Sequence, residues 1–370
     1  MMSSAKPDSG PTDKAWKPVC FERLHGWHLD DHRAAFEVFK SSARHLADSG
    51  KSTVLTQAFN QALALENPDP DQARRFFENR FIPHKYSDEG DKSGFVTAYF
   101  EPEVEASRTS SGEFCVPLYR RPSDLVEVTP TNRPAGMTDT IVFGRIGENG
   151  IEPYFDRKAI QSGALHRRGL ELAWLKDKTD AFFVHVQGSA RLLLPDGEIM
   201  RITYAAKSGH PYTSIGRILA DRLGIPAKDM TADILADWMR HHPKDIDELM
   251  AQNHSYIFFK EVNTLDHNAG PIGAVGVPLA PGRSLAVDFR HHAYGLPIWV
   301  DVPDAKIGGA DGGCENGDAS LRRLMIAQDT GSAIVGPQRG DIFVGSGHHA
   351  GFLAGKVRSK ATFHTLVPTP

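Results

Sequence analysis

Cysteine is scarce in this chain: Cys20, Cys115 and Cys314 are the three among 370 residues. An odd, widely spaced set excludes a disulfide framework and a CxxC metal site, so at most one bridge could form. Positive charge is not in excess either. A formal net charge of -4, with no clustered Lys and Arg, argues against nucleic acid as a partner, because phosphate contacts need concentrated cations. Long apolar runs are missing. No stretch of 18 apolar residues occurs, and residues 1–17, rich in Ser, Pro, Asp and Lys, lack the apolar core of a secretory signal. The expectation is a soluble chain with a disordered start over 1–17. Seventeen histidines include the pairs His241-His242, His291-His292 and His348-His349, but neighbours in sequence point in different directions and no HExxH spacing occurs. Neither a metal nor a cofactor is expected.

What is present suits a globular protein of two or three domains: 40% hydrophobic and 24% charged residues. Apolar residues at helical spacing mark a helix over 30–46, a second through Val54, Leu55, Phe59, Ala62 and Leu63, and a third from Asp71 to about Phe81, with Gly50 as a stop for the first. Gly50-Lys51-Ser52 imitates a phosphate loop, but His45 stands where that motif needs glycine, and a helix precedes it where a strand should. From Gly94 strands dominate. Residues 95–100, 114–119 and 182–186 read as strands, a brief helix is expected over 159–165, and 191–194 with 199–204 form a hairpin around Pro195-Asp196-Gly197. Helices return between Tyr212 and Gln252. Strands follow at 255–259, 285–287, 298–302, 324–327, 342–344 and 362–367, with a Gly- and Asp-rich loop over 308–318. Helices and strands do not alternate as in a βαβ fold, so the class is mainly β with added helices (α+β). Five strands after Leu285, with the Gly94 strand, are expected to close a small barrel.

Two aspartates stand out in that region. The strand 324–327 runs into Asp329, and Asp341 opens the apolar run Ile342-Phe343-Val344, with Gly331 and Gly336-Pro337 between them. An aspartate beside glycine is more often a turn residue. At a strand end, however, it can be half-buried with its pKa raised toward neutrality, as a catalytic acid requires. Asp341 suits that acid role, and a charged Asp329 nearby would raise its pKa further. Three chemistries stay open on these residues. Asp329-Thr330-Gly331-Ser332 matches an aspartic-protease loop, but Asp48-Ser49-Gly50 at a helix end and Asp8-Ser9-Gly10 in the flexible start make poor second loops. Glycan cleavage needs a protonated acid with a second group to trap the cation-like sugar carbon, either through water and two carboxylates or through the sugar itself. A non-catalytic binding module is the remaining alternative.

Six ordered segments then point to a family. They are 94–102 (Gly-Phe-Val-Thr-Ala-Tyr-Phe-Glu-Pro), 186–189 (Val-Gln-Gly-Ser), 204–217, 253–259, 283–288 (Arg-Ser-Leu-Ala-Val-Asp) and 329–347. Together, from about Gly94 to Phe363, they resemble the membrane-bound lytic murein transglycosylase A family. The resemblance implies a double-psi β-barrel (18–103 with 262–370) carrying N-terminal helices and an inserted β-rich domain (104–261), with the glycan in a groove between them. It implies cleavage of the β-1,4 bond between N-acetylmuramic acid and N-acetylglucosamine without water, leaving a 1,6-anhydro end, with Asp341 as acid and then base and Asp329 in support. Thr97, Tyr99, Gln187, Gly188, Ser189 and Asp288 would line the groove. Glu101 and Glu103, flanking Pro102, read as solvated loop charges, with Glu101 first in line if a second carboxylate were needed. The implied partners are peptidoglycan strands and other cell-wall enzymes, the protein being a monomer of the bacterial periplasm or envelope.

Overall fold

The computed structural model describes residues 15–48, 53–87, 93–148, 150–263, 269–305 and 320–369. The Gly50 stop, the Gly-Lys-Ser run, the loop over 308–318, Cys314 and most of the start expected to be disordered lie outside them. Within that start, Trp16 and Lys17 do have structure: β1 (Trp16–Pro18) pairs antiparallel with β2 (Phe81–Tyr86). Contacts divide the chain into two compact units, Glu101–His267 and the remainder comprising Ala5–Phe100 with Asn268–Pro370.

In the second of these, three helices precede the sheet: α1 (His32–Asp48), α2 (Thr56–Ala64) and α3 (Pro70–Arg80). The last starts sharply, because Pro70 fits the first helical position and Asp69 and Gln72 cap each other's backbone N–H groups. Phe36 and Phe39 of α1 meet Phe76, Phe77 and Phe81 at ring separations of 5.0–6.4 Å. Each fully buried ring contributes about 2–3 kcal/mol to the core.

The chain then enters β3 (Gly94–Glu101), leaves for the other unit, and returns as five further strands. The excursion comprises β4 (Glu103–Ser107), β5 (Val116–Tyr119), β6 (Leu125–Glu127), β7 (Phe143–Gly147), β8 (Gly150–Pro153), α4 (Arg157–Gln161), β9 (Glu171–Leu175), α5 (Lys178–Gln187), β10 (Ser189–Leu193), β11 (Ile199–Lys207), α6 (Ile215–Leu223), α7 (Ala232–His241), α8 (Ile246–Ala251) and β12 (Ile257–Glu261). Its main sheet has the order β12-β11-β10-β4-β9-β5, and a single parallel bridge, Arg120 with Phe259, joins the two end strands. One expectation fails here. Residues 182–186 form the helix α5, not a strand, despite their aromatic and β-branched side chains. Asp177 caps that helix at its start, Gly188 ends it in the left-handed region at φ 79°, and Phe182, Val184 and His185 are buried in the fold. Burial and caps outweigh local β propensity.

The returning strands are β13 (Ser284–Val287), β14 (Pro297–Val302), β15 (Leu321–Asp329), β16 (Arg339–Ser346) and β17 (Arg358–Pro368), with α9 (Gly347–Lys356) between the last two. Their order, β17-β14-β15-β13-β16-β3, closes on itself because β17 also pairs with β3, Arg358 opposite Thr97 and Ala361 opposite Gly94. This is the six-stranded barrel expected from the late strands and the Gly94 strand, and the chain as a whole is mixed α+β and rich in sheet. Val96, Leu285, Val287, Ile298, Val300, Leu324, Ile326, Ile342 and Phe363 fill its core. Gly94 is required at the closure, since a Cβ there would lie 2.7 Å from the Gln338 carbonyl oxygen and 2.8 Å from the Phe363 ring.

Candidate active site

The spacing of the two aspartates is set by β13, which runs between β15 and β16. Ala286 is in register with Asp329 on its parallel neighbour and with Asp341 on its antiparallel one. Their backbones therefore stand two strand spacings apart, about 10 Å. Between Leu285 and Ala286 the pairing with β15 slips by one residue. Such an irregularity turns a side chain from one face of a sheet to the other, and here it brings Asp329 to the face of Ala286 and Asp341. Ala286, whose side chain is a methyl group, is the β13 residue in register with both.

Behind Asp329, Gln328 fixes the strand. It accepts from Ser284 Oγ at 2.5 Å and donates to Ser42 Oγ (2.8 Å) and to the Val38 carbonyl (3.2 Å) of α1. Farther along, the buried Arg283 binds Asp30 through two bonds of 2.8 and 2.9 Å, and Asp30 also accepts from the Leu324 N–H. The N-terminal helices thus hold the strands that carry the site.

From β3, Val96 and Ala98 face the core, so Thr97 and Tyr99 share the other face. Thr97 Oγ1 donates to Asp341 Oδ1 at 2.6 Å, and Tyr99 OH donates to Asp329 Oδ2 at 2.7 Å. The four residues that the sequence singled out on β3, β15 and β16 are brought together. Arg339, two residues before Asp341 on the same strand face, donates to Thr97 Oγ1 at 2.6 Å and lies over the Phe95 ring at 5.7 Å. Asp329 Oδ1 accepts from the Ala274 N–H at 3.0 Å. Among the described residues Asp341 Oδ2 has no hydrogen-bond partner.

Both aspartates keep some exposed surface, while their carboxyl ends are densely surrounded by protein. Burial pushes the Asp341 carboxyl up to about 6. Arg339 and the Thr97 hydroxyl pull it down, and the Asp329 charge adds to the rise. Burial likewise raises Asp329, against the bonds from Tyr99, Thr330 and Ala274. Burial and the Asp329 charge hold the Tyr99 phenol far above its ordinary value, so it remains a donor.

Two predictions from the sequence read differently in the structure. Glu101 is not a solvated loop charge: it is fully buried and paired with Arg191 at 2.9 Å and Arg201 at 3.1 Å, whereas Glu103 is exposed. The Asp288 carboxylate is not available to line a groove. It accepts from Arg290 at 2.6 and 2.8 Å and from the Gly336 N–H at 2.8 Å, and despite burial, which raises it, these bonds lower its pKa to about 2. Gln187, Gly188 and Ser189 end α5 and begin β10, in the unit Glu101–His267. Arg339 and Ala286 were missed. The period-2 spacing of Arg339 from Asp341 was a readable signal; Ala274 left none.

The chain matches the MltA specific insert domain over residues 95–260 and the 3D domain over residues 283–367. It is similar to the crystal structure of a membrane-bound lytic murein transglycosylase from Agrobacterium tumefaciens, with 43% identity over 96% of this chain and 98% of that one and a TM-score of 0.86. The crystal structure of MltA from Neisseria gonorrhoeae, in its monoclinic form, has 30% identity over 98% and 95% of the two chains, with a TM-score of 0.76. Membrane-bound lytic murein transglycosylase A of Escherichia coli is 33% identical over 262 residues, 70% of this chain, and the matching region spans 61% of that protein. On these grounds the chain belongs to the membrane-bound lytic murein transglycosylase A family.

Proposed function

We propose that this protein is a peptidoglycan lytic transglycosylase of the bacterial envelope, cutting the β-1,4 bond between N-acetylmuramic acid and N-acetylglucosamine. The observation that carries this reading is the state of Asp341. Its carboxyl is poised at about 6, one oxygen is occupied by the Thr97 hydroxyl, and the other is open. The proton therefore resides on Oδ2, from which it passes to the bridging oxygen as the bond to muramic C1 breaks. Asp341, now a carboxylate, takes the proton of the muramic C6 hydroxyl, whose oxygen attacks C1. The product is the 1,6-anhydro ring, and no water is consumed. Arg339, acting through Thr97, and the Asp329 charge set the balance between the two protonation states. A carboxylic acid near the operating pH can both give and take a proton, as this sequence needs.

Hydrolysis by two carboxylates fits less well, because Asp329 spends one oxygen on Tyr99 and the other on the Ala274 N–H. A protease dyad fits poorly too, since its carboxylates share one proton at about 3 Å. Escherichia coli MltA has been crystallised with bound chitohexaose, which supports a β-1,4-linked amino-sugar polymer as the ligand class. In this reading Gln187, Gly188 and Ser189 offer amide and hydroxyl groups to the N-acetyl substituents, residues 104–261 form the insert, and the buried Glu101 anchors Arg191 and Arg201. Mass spectrometry after incubation with purified sacculi tests the proposal. Anhydro-muropeptides, lighter by one water than hydrolysis products and absent with Asp341→Asn, are expected. Reducing-end products would establish a hydrolase instead, and anhydro products from the folded variant would remove Asp341 from its role.

A further inference from the structure

The unit Glu101–His267 contains a cavity of about 470 Å3 at the seam where the Arg120–Phe259 bridge joins the end strands of its sheet. Leu172 and Phe259 give it an apolar floor, and Arg120, Arg121, Lys260 and Glu261 give it charge. Glu261 is paired with Arg108, at 3.2 and 3.5 Å, a guanidinium it shares with Glu198 at 2.9 Å. Among the described residues the three cations have no carboxylate partner. Arg120 donates to the Glu171 carbonyl at 2.5 Å and Arg121 to the Leu125 carbonyl at 3.2 Å, both neutral acceptors. Lys260 has no side-chain partner among the described residues. Each guanidinium is therefore held in place by one N–H while its charge and remaining donors stay available. Two pre-positioned forks and an ammonium around an apolar floor match a ligand that combines carboxylates with small apolar groups.

We infer that this cavity binds an acidic peptide, namely the peptide stem that N-acetylmuramic acid carries, whose glutamyl and C-terminal carboxylates lie among alanine methyl groups. The inference rests on the peptidoglycan reading above and adds to it a second recognition element, apart from the aspartates. The site then favours peptide-bearing glycan over stripped glycan without being needed for the bond cleavage itself.

Calorimetric titration of the full chain with synthetic alanyl-γ-glutamyl-lysyl-alanine tests it, alongside the fully amidated peptide and inorganic phosphate. The acidic peptide is expected to bind at least tenfold more tightly than the amidated one. Arg121→Gln and Lys260→Gln should each weaken binding severalfold, while Arg121→Lys retains most of it. Lys260 is exposed and its ammonium has no hydrogen-bond or ion-pair partner among the described residues, so its variant guards against misfolding as an explanation. Equal binding of the amidated peptide, no binding, or variants that bind normally would overturn the inference. Phosphate that displaces the peptide at equal concentration would assign the site to a phosphate-bearing ligand and overturn it too. A parallel assay separates this failure from that of the proposed function. Normal cleavage of stripped glycan with no peptide binding refutes only the cavity, whereas peptide binding with no cleavage of any glycan refutes the catalytic reading on which the inference depends.

Discussion

Replacing the proposed catalytic acid should make the protein more stable, and by an amount that depends on pH. Burial lifts Asp341 from its ordinary 3.8 to about 6. The folded state therefore binds this proton more tightly than the unfolded chain does. Below the unfolded value both states are protonated and nothing is lost. As pH rises from about 3.8 to about 6, stability falls, and above that window ionised Asp341 costs the fold about 3 kcal/mol. Asp341→Asn keeps the shape and the oxygen that accepts from Thr97, and has no charge to desolvate. Urea unfolding of both proteins at pH 4 and pH 7.5 measures the difference. The variant should gain about 2–3 kcal/mol at pH 7.5 and close to nothing at pH 4, while losing its lytic activity. A gain independent of pH, or a variant less stable at pH 7.5, would refute the claim that the carboxyl is held against its preference for ionising.

Two further outcomes follow from the same geometry. Arg339→Gln removes the cation that acts on Asp341 through Thr97 at a distance of at most about 5 Å, an interaction worth roughly 3–4 kcal/mol at an effective dielectric near 20; the falling alkaline limb of kcat/KM against pH should move up by about one unit or more, and an unmoved limb would deny the relay. Ala286→Leu should fill the space between the aspartates and lower cleavage by at least a hundredfold while circular dichroism stays native, and full activity would mean that the substrate does not use that space.

The class of fold was legible because its signals were local. Strands from Leu285 onward carry apolar runs bounded by Gly and Pro, and the three opening helices show clear periodicity with an Asp-Pro start to the third. The reading failed at 182–186, where a strand-like composition sits between a capping Asp177 and a left-handed Gly188. It failed again at Glu101, whose partners Arg191 and Arg201 are about a hundred residues away and give no nearby hint of burial. Asp329, Asp341, Thr97 and Tyr99, singled out by strand position and family resemblance, lie together in the candidate site. Asp288 was identified for the wrong purpose, since a carboxylate closing a loop and one meeting a ligand look alike in sequence. Ala274 contributes only a backbone N–H, which any residue but proline could supply.

The closure of the barrel also constrains the order of folding. β3 pairs along Gly94–Thr97 with Arg358–Ala361 of β17, so this seam joins segments separated by most of the chain. The intervening unit can fold from its own residues as it leaves the ribosome, whereas the barrel must wait for its last strand and meet the entropy of a very long loop. Thr97 and Tyr99 therefore stay apart from Asp341 and Asp329 until β16 and β17 have been made. A nascent chain that stops short of β17 leaves the barrel open, so the proposed lytic activity would arise only once that strand docks.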